Sequence, residues 1–313
     1  MASFSEPSAW DLIAAAGTDV ASLSVAAGAG AAILPRLLRA LGLRLLPDAE
    51  SKLPARFVST VQSCRGAAVG AWVLWDVFVR RRHEVDDDLV TSTVMRHAVF
   101  EVTYYCVDTA LHLAPLLASA ARPRGPSAKG SGSVKPRVPR VRWDQLAHHA
   151  ACVCGFATYL AVGPRFRNGP AASLTALLLL QHASTPLLHV SWLMGAARGG
   201  AEAAAAAAAK ATRAAGRRPA PAAPSAVERL MASCRGPLTA VLAIVFVAVR
   251  VLGWPVLLGA YGWARSSRPD LPAPRWWCYA SSAAMLALNL VWVRAGVRKI
   301  VAAAPEGSGP KTD

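Results

Sequence analysis

Glu101, Tyr104, Tyr105, Asp108 and His112 recur at offsets of three, four, seven and eleven residues, the spacing that aligns side chains on one face of a helix. The stretch that carries them is otherwise apolar. His182 sits in the middle of another apolar stretch, with His189 seven residues further on the same face. Arg250 interrupts an aliphatic run, Asn289 is central to the last apolar segment, and Gln62 and Arg65 lie three apart in an early one. His148 and His149 open the segment between. Ionisable and amide groups inside apolar segments are costly, and by default they face one another or a cavity. Imidazole titrates near neutrality, so these histidines have the chemistry to move protons or to act as base or nucleophile.

Two readings of this set stand open. One is a single polar cavity, open toward the positively charged side of the protein. The other is interhelical glue, with an Asp108–Arg250 ion pair and with Asn289 and Gln62 hydrogen-bonding across helices. His148 and His149, adjacent on a helix, point about 100° apart, so only one of them faces a given cavity. His148 and Cys152 are four apart, but no carboxylate or His-x-x-His-His cluster accompanies them, and no metal is expected. Cys-Val-Cys at 152–154 is not a zinc spacing. The six cysteines fall mostly in or beside apolar segments and read as small buried side chains.

The elements that must position these residues follow from composition. The chain has 313 residues, 54% of them hydrophobic and only 17% charged, against about 25% charged in ordinary soluble domains. The charges are grouped in blocks separated by apolar stretches close to the 20 or so residues that a helix needs to cross a bilayer. Seven such spans are expected, near residues 12–34, 58–79, 98–120, 146–162, 171–196, 238–260 and 276–297. The chain is therefore read as an all-α polytopic membrane bundle. Residues 1–56 hold the first span and a basic loop, 57–303 the main helical membrane domain, and 304–313 a disordered tail. No basic region precedes the first span, which argues against a signal peptide. The stretches 121–142 and 197–227 are basic and rich in Pro, Gly, Ser or Ala, and read as flexible loops; the alanines at 203–209 also suit a short surface helix.

Net charge is +16. Its distribution reads as topology, and no nucleic-acid partner is expected. Twenty-three of the 34 Lys and Arg residues fall on one side of the seven-span arrangement and nine on the other. The positive-inside rule then puts the N-terminus in the lumen and the C-terminus in the cytosol.

The motifs also resemble those of the TLC-domain family, which includes the ceramide synthases and several lipid-homeostasis proteins. The resemblance covers roughly residues 57–303. It is carried by Ser59-Thr60-Val61, Tyr104-Tyr105 with Asp108, His148-His149, Ser184-Thr185-Pro186 with Trp192, Arg250, and Leu288-Asn289 with Trp292. The chain departs from the pattern in several places. Gln62 stands where His is usual, His182 where Glu usually precedes Ser-Thr-Pro, and His189 and Ser191 where Asn and Arg are usual. The acidic residues that follow the paired histidines in the synthases are absent.

The resemblance implies a TLC-like bundle in the endoplasmic reticulum or another endomembrane. Its non-synthase branch implies lipid homeostasis, with a lipid or acyl chain held at Gln62, Tyr104, Tyr105, His182, Arg250 and Asn289 and no cofactor. The synthase branch implies an acyltransferase with acyl-CoA as co-substrate, in which His148 or His149 is base or acyl acceptor and Asp108 supports it. A transporter is a third, weaker alternative, since no inverted repeat is visible. Membrane lipids are the expected partners in the first two cases.

Overall fold

Apolar stretches of this length satisfy their backbone groups internally only as helices, and the described chain is helical throughout. A computed structural model describes residues 8–80, 88–121, 143–161, 170–215, 226–267, 269 and 276–303. The expected loop at 122–142, residues 216–225 and the expected tail at 304–313 lie outside the described residues, as does the side chain of His112.

The first helix, α1 (Ala9–Ala40), starts at a capping box in which Ser8 and Asp11 satisfy each other's backbone N–H. The same Ser8 contacts hold the Asp11 carboxyl below its usual range. Helix α1 ends at Gly42, whose φ of 75° lets the chain reverse while Leu43 N–H reaches back to the Leu38 carbonyl. A single turn, α2 (Pro47–Glu50), leads to α3 (Leu53–Trp75), which runs on into a π turn at Asp76–Arg80. Then come α4 (Asp88–Ala121), α5 (Trp143–Ala161) and α6 (Pro170–Leu180). A 3₁₀ turn at Gln181–Ala183 joins α6 to α7 (Ser184–Ala214). A π turn at Val247–Leu252 joins α8 (Ala226–Phe246) to α9 (Gly253–Ser267), and α10 (Trp276–Ala303) closes the order. Joined through these turns, the described residues make seven long helical rods, each overlapping one expected span.

One expectation changes. Helix α7 runs unbroken to Ala214, so residues 197–214 are helix and not loop. The alanine run supplies the reason, because Ala has the highest intrinsic helix propensity.

Two rods, Ile13–Ala40 and Arg229–Ala260, are long and apolar enough by themselves to cross a membrane. Much of the outer surface is apolar, with Val25, Ile33, Ile244, Val256 and Val291 exposed. Such a surface calls for lipid, not water. Exposed tryptophans sit at or near rod ends, at Trp10, Trp75, Trp143, Trp263 and Trp276, the position of an interfacial aromatic belt.

Inside, α3 packs on α6, α4 on α5, and α1 across α3 and α4. The close approach of α3 and α6 depends on Gly70, while Gly66, four residues before it, faces His182 of the following turn and Glu101 of α4. A Cβ at Gly70 would lie 2.4 Å from the Ala176 carbonyl oxygen. A small residue at this point lets backbones touch where lipid offers no hydrophobic drive. Val73, Val94, Ala98, Phe156, Tyr159 and Leu179 fill the interior around it.

Candidate functional site: a polar core inside the bundle

Two prolines set the geometry. Pro186 has no N–H to give the carbonyl four residues back, that of His182, and its ring crowds that carbonyl. The helix tightens there into the 3₁₀ turn, where Ser184 N–H bonds to the His182 carbonyl instead. Gln181, His182 and Ser184 are all buried at this turn. Pro255 acts five residues beyond Arg250. In a π turn the Arg250 carbonyl would take its hydrogen bond from residue 255, which has no N–H. Asn289 Nδ2 on α10 donates to that carbonyl instead, at 2.9 Å. The turn itself carries the Arg250 side chain into the bundle, where the residue is 4% exposed.

Around His182 the groups are matched. Gln62 on α3 donates to Glu101 Oε2 on α4, and the same nitrogen lies 3.0 Å from His182 Nδ1. His97 Nε2 lies 3.1 Å from Glu101 Oε1, and His182 Nδ1 lies 3.5 Å from the same oxygen. His182 Nε2 lies 2.9 Å from the Tyr105 hydroxyl. Glu101 is fully buried. Gly66 makes the room, since a Cβ there would fall 2.6 Å from His182 Nδ1.

Around Arg250 the balance differs. Its Nε donates to Ser184 Oγ at 2.8 Å, with longer contacts from Nη1 to Asn289 Oδ1 at 3.5 Å and from Nη2 to Thr185 Oγ1 at 3.4 Å. The guanidinium lies near the rings of Phe246 and Trp292. Among the described residues no carboxylate stands within ion-pair distance of it. Asn289 Nδ2 is also 3.5 Å from Gln181 Oε1, which links the two halves of the core. The other end of that amide, Gln181 Nε2, is a buried donor with no acceptor among the described residues.

A third group lies where α4 meets α5. His149 Nε2 is 3.3 Å from Asp108 Oδ2, and His149 Nδ1 is 3.0 Å from the Thr109 hydroxyl. His148 turns the other way, with its ring edge-on to Tyr105 and Trp292 and with Cys152 Sγ at 3.7 Å. Tyr105 packs against His148, His149 and His182 together.

The residues singled out in the sequence thus fall into a connected core with three parts. Gln62, Tyr105 and His182 meet at Glu101. Arg250 and Asn289 meet at Gln181 and Ser184. His149 meets Asp108. The Asp108–Arg250 ion pair offered as interhelical glue is not formed, because Asp108 pairs with His149 and Arg250 is held by hydroxyls and an amide. Tyr104 is buried, with its ring edge-on to Tyr105. His189 takes Thr60 as partner at 2.7 Å. Arg65 turns to Asp19 of α1 at 3.6 Å and to the face of Phe100 at 4.0 Å.

Sequence reasoning passed over His97, Gln181 and Asp19. The spacing of His97 and Glu101, four residues on one helix face, was a usable signal. Ser184 and Thr185 were quoted only as part of a motif, and nothing local shows that they bind Arg250 from another helix. Among the described residues no group of three His, Cys, Asp or Glu side chains is placed to hold a metal ion.

Comparison with known proteins gives one result. Residues 52–298 match the family model described as the TLC domain. No curated protein and no solved structure matches the chain. Helix α1 lies outside the matched region. The match covers well over half of the chain and every part of the polar core, so this protein belongs to the TLC-domain family, as a membrane helical bundle concerned in general with lipids.

Proposed function

We propose that the chain binds a membrane lipid or acyl chain through the donor cluster around Arg250 and acts in membrane lipid homeostasis. One observation carries this reading: a buried guanidinium with no carboxylate beside it among the described residues. A buried charge without a counter-ion is expensive. Among the described residues, Arg250 and Gln181 Nε2 offer more donors than their neighbours accept. A carboxylate, phosphate or ester oxygen, which accepts only, complements that set. Arg250→Ala protein, gently purified, should lose most of the lipid that wild type retains by mass spectrometry, and Arg250→Lys should keep part of it. Equal lipid occupancy in wild type and Arg250→Ala would sink the reading.

The Asp108–His149 pair favours a second reading, an acyl-CoA-dependent N-acyltransferase of the ceramide synthase type. A carboxylate 3.3 Å from an imidazole nitrogen is placed to stabilise the imidazolium formed when His149 acts as base or acyl acceptor. Its test is release of CoA from acyl-CoA and a long-chain amine. Turnover no greater than that of a His148→Ala/His149→Ala double variant rejects it.

Under either reading the chain is multi-pass in the endoplasmic reticulum or another endomembrane, with its N-terminus lumenal and C-terminus cytosolic. The basic-residue asymmetry supports the orientation. Protease protection of terminal tags in sealed microsomes tests it, and protection of the C-terminal tag would reverse the orientation.

A further inference from the structure

The surroundings of Arg250 narrow the class of ligand that its centre can take. The guanidinium has one good acceptor, Ser184 Oγ, at 2.8 Å from Nε. Its outer edge is less well served. The contacts from Nη1 to Asn289 Oδ1 and from Nη2 to Thr185 Oγ1 are 3.5 and 3.4 Å long, beyond the roughly 2.7–3.2 Å usual for an N–H···O bond. The two η nitrogens form a fork that suits the two oxygens of a planar acceptor. Gln181 gives a second, independent sign of a missing acceptor. Its side chain is 1% exposed, its Oε1 reaches Asn289 at 3.5 Å, and its Nε2 has no acceptor among the described residues.

Beyond the fork the neighbours are aromatic. The guanidinium carbon lies 5.2 Å from the Phe246 ring and 5.5 Å from the Trp292 ring. His148 packs edge-on to the same Trp292, with centroids 4.9 Å apart. Phe246 stands one turn before Arg250, and Trp292 about one turn beyond Asn289, so both lie toward the helix ends that carry Arg235 and Arg294. A helical side chain leans toward the N-terminus of its own helix, and for Arg250 that direction is toward Phe246. The polar patch is thus one guanidinium wide, and aromatic rings border it on the side facing the basic end of the bundle.

We infer that the ligand of this centre is a long-chain fatty acid, held by its carboxylate on the Arg250 fork with the first carbons of its chain against Phe246 and Trp292. A carboxylate brings two coplanar oxygens and one negative charge, which match the fork and the single guanidinium. Its hydrocarbon begins at the next atom, where the aromatic border begins. An ester or thioester carbonyl accepts hydrogen bonds there but leaves the buried charge uncompensated. A phosphodiester supplies the charge, but it carries further polar groups on both sides, which aromatic rings do not satisfy. Fatty-acid binding at this point rests on the lipid binding proposed above and names its class.

Competition for tritiated palmitate on the full chain, delipidated in detergent micelles, tests the assignment. The competitors are unlabelled palmitate, methyl palmitate and dioleoyl phosphatidylglycerol. On wild type, palmitate should displace the label about tenfold more effectively than either of the others, the effect of a hydrogen-bonded charge pair. Arg250→Met should abolish the preference for the acid over its methyl ester. Arg250→Lys keeps the charge and loses the fork, so it should retain the preference at several-fold lower affinity. It also carries the test if Arg250→Met fails to give monodisperse protein, and an affinity unchanged in Arg250→Lys overturns the fork. Methyl palmitate equal to palmitate on wild type, or an acid preference that survives Arg250→Met, overturns the carboxylate. Phosphatidylglycerol displacing the label better than palmitate, with that advantage lost in Arg250→Met, overturns the fatty acid and leaves lipid binding at Arg250 standing. If none of the three binds in a way that depends on Arg250, both fall.

Discussion

Around His182 the helix is wound too tightly, and around Arg250 it is wound too loosely. A proline stands four residues beyond the first and five beyond the second. The tight turn brings together a carboxylate, two imidazoles, an amide and a phenol whose donors and acceptors match. The loose turn presents a guanidinium to two hydroxyls and an amide, with no carboxylate among the described residues. Among the described residues the first centre is matched, whereas the guanidinium of the second has hydroxyl and amide acceptors but no carboxylate. Structural need accounts for the first, and the second is the centre at which lipid binding is proposed.

Removing one charge from each centre gives the largest test of this contrast. Glu101→Leu strands the donors of His97 and Gln62 in the interior, at a cost of about 1–3 kcal/mol for each unpaired group. Arg250→Met replaces an uncompensated buried charge by an apolar chain of similar length, a change that is often neutral or stabilising. Lipid-stripped protein should therefore melt well below wild type with Glu101→Leu and at or above it with Arg250→Met. The opposite order in thermal unfolding would break the comparison.

Gly66→Ala tests the tight centre without removing a charge. The added Cβ would meet His182 Nδ1 at 2.6 Å and Glu101 Oε1 at 3.2 Å, so the imidazole must move. Overpacking of this kind costs about 1–3 kcal/mol. The added Cβ meets neither Gln181 nor Ser184, which connect this centre to the Arg250 cluster, so lipid retention should fall less than stability. Loss of lipid in proportion to loss of stability would show one site where two are drawn.

Pro255→Ala tests the loose centre. It restores an N–H that competes with Asn289 for the Arg250 carbonyl and lets the π turn relax toward α. Helix propensity favours Ala over Pro by about 3 kcal/mol in a regular interior, but the turn already accommodates the proline. The expected gain is at most about 1 kcal/mol, with reduced lipid retention, the pattern of a locally strained functional site. A stability loss in unfolding melts, with retention unchanged, would remove the functional meaning of the turn.

Much of this was legible in the sequence, and the remainder was hidden for physical reasons. Seven apolar stretches implied seven rods, because a bilayer allows a chain few other shapes. Glu101, Tyr105, His182, Arg250 and Asn289 stood out because polar groups inside apolar runs need partners. Which partner each one takes was not legible. Helical spacing fixes a face but not the neighbouring helix, so Asp108 was offered to Arg250 when His149 holds it. The turns at 181–183 and 247–252 were signalled by Pro186 and Pro255, but the signal gives a break and not its sense. The sequence reading passed over Gly66 and Gly70, because only the packing shows that one admits His182 and the other the backbone of α6.

Helix α1 lies outside the residues matched by the family model, and its ion pair to Arg65 offers the sharpest small test. Asp19 and Arg65 are 3.6 Å apart, and the Arg65 side chain is 48% exposed. Half-exposed pairs contribute about 0–1 kcal/mol. The Arg65 guanidinium also rests on Phe100 at 4.0 Å, a contact that survives loss of the carboxylate. Leu23 is buried in the common core, and Gly30 lies against Phe57 of α3 so closely that a Cβ there would fall 3.1 Å away. Packing, not charge, should therefore hold α1 in place. Asp19→Asn is expected to shift the melting temperature slightly and to leave crosslinking between cysteines placed on α1 and α3 unchanged. If the crosslink disappears, the ion pair is what seats the first span, and the His97–Glu101 end of the tight centre depends on a helix that the family model does not include.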